Sequence, residues 1–92
     1  MLEIVYTTAF KRDYKKIAKN PKAVRALTDI LNLLADEKPL PPKYRLHILS
    51  GDYADVLECH ILPDLLLLYR INASALELIV MRIGSHSTLF RR

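Results

Sequence analysis

Gly84-Ser85-His86-Ser87-Thr88 is a polar segment that follows an apolar stretch and runs directly into Leu89-Phe90. A hydrophobic core has little use for an imidazole there. Proton-transfer chemistry has a good one, because an ordinary histidine titrates near neutrality. The other two histidines, His47 and His60, also stand at the edges of apolar runs, and Asp64 follows His60 by four residues. Three histidines in 92 residues is an ordinary number, so only their placement carries weight. One chemistry such a set can serve is RNA cleavage by attack of the RNA's own 2′-hydroxyl. That reaction needs a base for the 2′-proton, an acid for the departing 5′-oxygen, and cations against the charge developing on phosphorus. His47, His60 and His86 are candidates for the proton transfers. Arg82, Arg70 or the lysines could supply the cation, and Phe90 could stack on a base. The scheme requires no metal and no other cofactor.

Other readings of the same residues stand beside it. His47 between Leu46 and Ile48, and His60 beside Ile61, also suit half-buried structural histidines. Asp64 after Pro63 suits a turn, and Phe90 suits a plug for the core. A zinc site built from His47, His60, His86 and Asp64 has the right donor types. It lacks local metal-binding spacing, and three separate strands would each have to supply a ligand. A serine hydrolase is disfavoured by the absence of a nucleophile elbow. Cys59 is the single cysteine, which excludes an internal disulfide and fits a reducing compartment.

Periodicity indicates the elements that must position these side chains. Leu2, Ile4 and Tyr6 alternate with Glu3, Val5 and Thr7, a first strand. Thr7 or Thr8 can cap a helix with Phe10, Tyr14, Ile17 and Ala18 at helical spacing, and Lys11, Arg12, Lys15, Lys16 and Lys19 on its other faces. Asn20-Pro21 restarts a second helix with Val24, Leu27, Ile30, Leu31 and Leu34 on one stripe, and antiparallel contact between the two helices is expected. Lys38 to Lys43 reads as an extended, proline-stiffened connector. Beyond it the period becomes strand-like. A short strand over 45–49 and a turn at Ser50-Gly51-Asp52 precede strands over 54–61, 64–72 and 75–83, with a hairpin turn at Asn72-Ala73-Ser74. The order is β-α-α-β-β-β, with a short final element after Gly84.

Strand parity then sorts the faces. Leu57, Cys59 and Ile61 should lie against the helices, which makes Cys59 a packing residue rather than a nucleophile. Val56, Glu58 and His60 take the opposite, open face. Leu76, Leu78, Val80 and Arg82 share one face of the last strand. An antiparallel meander could thus gather His47, His60, Asp64, Arg82 and His86 at one side of the sheet.

Size and composition bound the rest. Ninety-two residues, 51% of them hydrophobic, suit one α+β domain over 1–92 and argue against disorder. The longest apolar run is far too short to span a bilayer, and the N-terminus shows no signal peptide, so a cytoplasmic protein is expected. Residues 1–46 carry ten Lys and Arg against five Asp and Glu, a balance of +5, whereas residues 47–92 carry four against five. A basic half suits nucleic acid or an acidic protein segment, and it equally suits a solvated helix surface.

Four ordered segments carry a family likeness. They are Leu40-Pro41-Pro42-Lys43-Tyr44; Leu46-His47-Ile48-Leu49-Ser50-Gly51; Glu58-Cys59-His60-Ile61-Leu62-Pro63-Asp64 with the following Leu65 to Tyr69; and Arg82-Ile83-Gly84-Ser85-His86-Ser87-Thr88-Leu89-Phe90. At these spacings the chain resembles the YafQ-like branch of the RelE/ParE superfamily of toxins, over nearly its whole length. The resemblance implies two N-terminal helices packed on a four- to five-stranded antiparallel sheet. It implies the toxin of a type II toxin–antitoxin pair, an endoribonuclease (mRNA interferase) that cuts mRNA on the ribosome. A cognate antitoxin would silence it, and operator DNA would be met only through that complex. By similarity His86 is the proton donor, His47 or His60 the base, and Asp64 the group that orients its neighbour, with Phe90 as the aromatic. Lys15, Lys16 and Lys19 join Arg82 and Arg70 as RNA-binding candidates. Leu65 stands where the family pattern has tryptophan, Ile48 stands where proline is common, and Arg91-Arg92 extends the end. A ParE-like toxin that poisons gyrase by binding, or an inactive copy that binds only its antitoxin, shares the same fold.

Overall fold

Thr7 closes the first strand and opens the first helix. In the computed structural model, which describes residues 1–49, 51 and 55–90, β1 spans Glu3–Tyr6 and α1 spans Thr8–Ile17. The Thr7 hydroxyl accepts from the Phe10 amide at 3.0 Å and donates to the Met81 carbonyl at 2.8 Å, so one side chain both caps the helix and ties it to a distant strand. Asn20 caps α2 (Pro21–Ala35) by accepting from the Lys22 and Ala23 amides, with Pro21 where no amide proton is needed. The expected stripe of α2 is buried at Leu27, Ile30, Leu31 and Leu34, with Ala23 rather than Val24 completing it. α1 packs mainly on the last strand and α2 on the first strand of the meander. Each helix therefore finds its main contact on the sheet rather than on the other helix.

The connector is extended only in part, since Pro42–Tyr44 form a 3-10 turn. β2 is short, His47–Ile48; β3 spans Leu57–Leu62, β4 Leu65–Asn72 and β5 Glu77–Gly84, and α3, His86–Leu89, is the final element. Of the expected turn at Ser50-Gly51-Asp52, Ser50 and Asp52 lie outside the described residues, as do Ala54 and Arg91-Arg92; Gly51 has φ +69°. The loop after β4 is longer than a three-residue hairpin turn. It runs from Ala73 to Leu76, braced by Asn72 Oδ1 accepting from the Ser74 hydroxyl at 2.9 Å.

The sheet order is β1-β5-β4-β3-β2. β2 through β5 pair antiparallel, but β1 pairs parallel with β5, Glu3 against Glu77 through Tyr6 against Val80. The all-antiparallel expectation is corrected to a mixed sheet. Two helices and a meander separate β1 from β5, so the last strand can return beside the first in the same direction, and hydrophobic periodicity is blind to direction.

Two cores flank the sheet. Phe10, Leu27, Ile30, Leu67, Tyr69, Leu78, Val80 and Ile83 pack under the helices, while Val56, Leu66, Leu68 and Leu89 pack on the other face beneath α3. β4 is therefore buried on both faces, which is why its run Leu65 to Tyr69 does not alternate. Gly84 lets α3 lie close, since a Cβ there would come 3.3 Å from Leu89 Cδ2.

A three-histidine candidate active site

β3 carries the centre of the site. Leu57, Cys59 and Ile61 turn toward the helices, and Glu58 and His60 take the opposite face, as parity requires. β2 pairs antiparallel with this strand and sets His47 directly across from Glu58. α3 then brings in the third ring. Its N-cap is Ser85, whose hydroxyl accepts from the Thr88 amide at 3.2 Å, so the serine of the polar motif shapes the turn while His86 stands exposed beside it.

The three imidazoles form a row. His47 and His60 have ring centroids 6.1 Å apart, and His60 and His86 5.9 Å apart, both edge to face. Phe90, the C-cap of α3, extends the row, its ring 5.9 Å from that of His86 one helical turn earlier. Glu58 Oε1 lies 3.4 Å from His60 Nε2. Sequence reasoning placed Glu58 on this face without assigning it to the site. The signal was its position two residues before His60 on one strand.

The structure does not bring every predicted residue to the row. Asp64 is exposed in the two-residue turn between β3 and β4, and among the described residues it forms no ion pair with any histidine. The carboxylate that meets an imidazole is Glu58. Arg70 is exposed on β4, near Ile48 and Asp55 at the end of the sheet away from α3. Lys15 and Lys16 are exposed on the last turn of α1 and Lys19 just beyond it, in the helical layer across the sheet from the histidines.

Arg82 is redirected by a bulge. Leu68 pairs with Arg82 and Tyr69 with Val80, so Met81 is an extra residue in β5. The expected shared face therefore ends at Val80: Met81 packs in the second core and Ile83 in the first, while Leu76 sits in the preceding loop with φ +55°. Arg82 Nε and Nη2 donate to Asp13 at 2.6 and 3.1 Å, and the Ile83 amide donates to the same carboxylate at 3.1 Å. Beyond the end of β1, Thr7 and Asp13 thus serve β5 as a side-chain substitute for a strand. Asp13 was absent from the sequence-based site because its partner is 69 residues away.

Cys59 is fully buried on the helix side of β3, and burial together with the nearby Glu58 charge pushes its thiol up to about 12. At neutral pH it stays a protonated packing group. The donor atoms of His47, Glu58 and His60 lie within 4.8 Å of one another, a set that can hold a divalent metal ion. It differs from the four-residue set weighed from sequence, with Glu58 present and His86 and Asp64 absent.

Residues 2–91 match the family described as the bacterial toxin of type II toxin–antitoxin system, YafQ. This chain belongs to the YafQ toxin family. Its curated relatives include the mRNA interferase toxin YafQ of Escherichia coli K12, 30% identical over 89 residues that cover 96% of this chain and 95% of that protein. Among solved structures, the metal-bound toxin from Helicobacter pylori superposes with a TM-score of 0.90 at 43% identity, covering 98% of this chain and all of that one. YafQ in the E. coli DinJ–YafQ complex superposes with a TM-score of 0.85 at 30% identity, over 98% and 99% of the two chains. The α+β fold with a mixed five-stranded sheet is thus the YafQ fold over 98% of the chain. Among the described residues no helix is long and apolar enough to cross a membrane.

Proposed function

We propose that this YafQ-family toxin is an endoribonuclease, an mRNA interferase that cuts mRNA on the ribosome and is silenced by a cognate antitoxin. The observation that carries the reading is the row of three imidazoles, each about 6 Å from the next, with the central ring against a buried carboxylate. Gyrase poisoning by contact alone would make no use of such a row. The E. coli relative named mRNA interferase and the DinJ–YafQ pairing support the activity and the partner.

In this reading RNA lies across the histidine face, its scissile phosphate between His60 and His86. His60, or His47 beside it, takes the 2′-proton, and the 2′-oxygen attacks phosphorus. His86 on α3 protonates the departing 5′-oxygen, leaving a 2′,3′-cyclic phosphate and a free 5′-hydroxyl. Glu58 fixes the orientation of His60. Arg82, braced by Asp13 and still 36% exposed at its side chain, and Arg70 supply positive charge toward the phosphates. Phe90 stacks on a base, and Asp64 in the adjoining turn meets the substrate rather than a histidine. Lys15, Lys16 and Lys19, on the far side of the sheet, face the ribosome. The whole chain acts as one domain in the cytoplasm, and operator DNA is met through the antitoxin complex.

A second capacity rests on the compact set His47, Glu58 and His60 and on the metal-bound state of the H. pylori relative. A divalent ion held there would occupy the imidazole lone pairs that the base needs. Metal is then an inhibitor, not a cofactor.

The test is 5′-end mapping of a reporter mRNA after brief induction, wild type beside His86→Ala. In-frame breaks with wild type alone are expected. Growth arrest without breaks, or unchanged cutting by His86→Ala, overturns the reading.

A further inference from the structure

Among the described residues β2 pairs only with Leu57 and Glu58, and no strand covers the outer edge of β3 beyond Glu58. A groove of about 740 Å³ runs along that edge, between α2 and the 3-10 turn, and His60 lies on its wall. Lys22 and Arg25 of α2 and Lys43 and Arg45 at the turn border it, with Asp29 as the one carboxylate among the described residues that line it. All four cations are exposed, and none of them forms a salt bridge among the described residues. Asp29 pairs with none of them. Four cations around one depression repel one another, an arrangement that favours an anionic occupant. Arg45 adds a second observation. It holds φ 46° and ψ 56°, a left-handed conformation that a residue with a Cβ adopts only at a cost, and it does so on the groove wall. Lys43 rests its ammonium 5.1 Å from the centre of the Tyr44 ring.

We infer that this groove is a substrate track, binding the phosphodiester backbone of the single-stranded RNA that flanks the scissile bond. The inference rests on the interferase reading and extends it to residues outside the histidine row. Two features select RNA over an acidic peptide. The groove is continuous with the catalytic face through His60, and its cations come from two separate elements, Lys22 and Arg25 from α2 and Lys43 and Arg45 from the 3-10 turn and its end, as a chain of several phosphates requires. A peptide bound for silencing alone would need no such continuity.

The experiment is fluorescence anisotropy with a short, labelled 2′-O-methyl oligoribonucleotide, which the chemistry above cannot cut. Arg25→Gln/Arg45→Gln and Lys22→Gln/Lys43→Gln are compared with wild type and with Lys11→Gln/Lys38→Gln, a charge-matched change outside the groove. Each groove pair should raise Kd about tenfold at moderate salt and lower the slope of log K against log salt by about 1.4, roughly 0.7 for each phosphate no longer neutralised. The control pair should change neither by as much. Unaltered melting temperatures show that the folds are intact, and the four single substitutions at these exposed positions report the same trend if a pair is impaired. Equal effects of groove and control pairs, or no binding by wild type, overturn the assignment. So does unchanged RNA affinity with weakened antitoxin binding, which would give the groove to an acidic protein segment. Because the oligonucleotide is not cleaved, the readout is separate from mRNA breaks: breaks that persist with indifferent groove variants would remove the track and leave the interferase.

Discussion

Glu58 Oε1 lies 3.4 Å from His60 Nε2, and the carboxylate that makes this approach is only 8% exposed. A carboxylate withdrawn from water is an expensive neighbour unless it has a partner, so the pair holds both side chains in place. His47 sits across the strand pair from the same glutamate. The position of one acidic residue therefore bears on two of the three rings.

Glu58→Gln keeps the shape and removes the charge. Cleavage should fall about tenfold, equivalent to about 1.4 kcal/mol of transition-state stabilisation, with the fold retained. Single-turnover cleavage of a model RNA, with a melting curve on the same sample, measures both. A full-rate Glu58→Gln enzyme would show that the ring is held by other contacts.

Asp13→Asn should act on stability. It removes the charge that faces Arg82 from Asp13 and weakens the acceptor for the Ile83 amide on β5. Asp13 is buried and Arg82 is partly open to water, so a loss of about 2–3 kcal/mol is expected, just below the range of about 3–5 kcal/mol for breaking a fully buried ion pair. Urea unfolding measures it. A change below about 0.5 kcal/mol, the scale of an ordinary surface substitution, would mean that the Asp13 bonds contribute little to holding this part of β5.

Zinc or copper added to the active protein should slow cleavage, and a chelator should restore it. The donors are His47, Glu58 and His60, so His47→Ala should raise the metal concentration needed for half-inhibition. Isothermal titration with the metal alone checks the site independently of activity. Stimulation by metal would contradict the metal-free scheme.

Cys59 and Tyr69 predict alkaline instability. Burial raises both groups, Cys59 from an ordinary 9.0 to about 12 and Tyr69 above its ordinary 10.0. Both side chains keep their protons in the folded state at pH values where the unfolded chain has lost them. Stability is complete below 9 and falls as pH rises toward 12, because only the unfolded state ionises in that window. Cys59→Ala should move the onset upward, toward the ordinary tyrosine value of 10.0. Melting temperature against pH, for wild type and variant, reads the difference. Identical onsets would remove the thiol from the account.

The caps and faces were legible because their physics is local. Asn20 and Thr7 bond amides two or three residues away, and the period of two on β3 assigns His60 to one face and Cys59 to the other before any strand pairing is known. The histidine row was legible to the same degree. Three residues could be placed on one side of a sheet, although their separations could not. Glu58 shared that face and went unassigned, because parity names a face and not a neighbour.

What lay beyond reach depended on register between distant segments. The bulge at Met81, which turns Arg82 to Asp13, depends on how β5 meets β4. The parallel pairing of β1 depends on where the last strand returns. The sequence by itself determined the elements, their caps, the buried faces and the residue types able to move a proton. Only the tertiary structure decided which carboxylate stands beside His60, which cation is held by Asp13 and which cations line an open groove. The reason is range: capping and periodicity act within a few residues, whereas these contacts are set by packing and strand register across tens of residues.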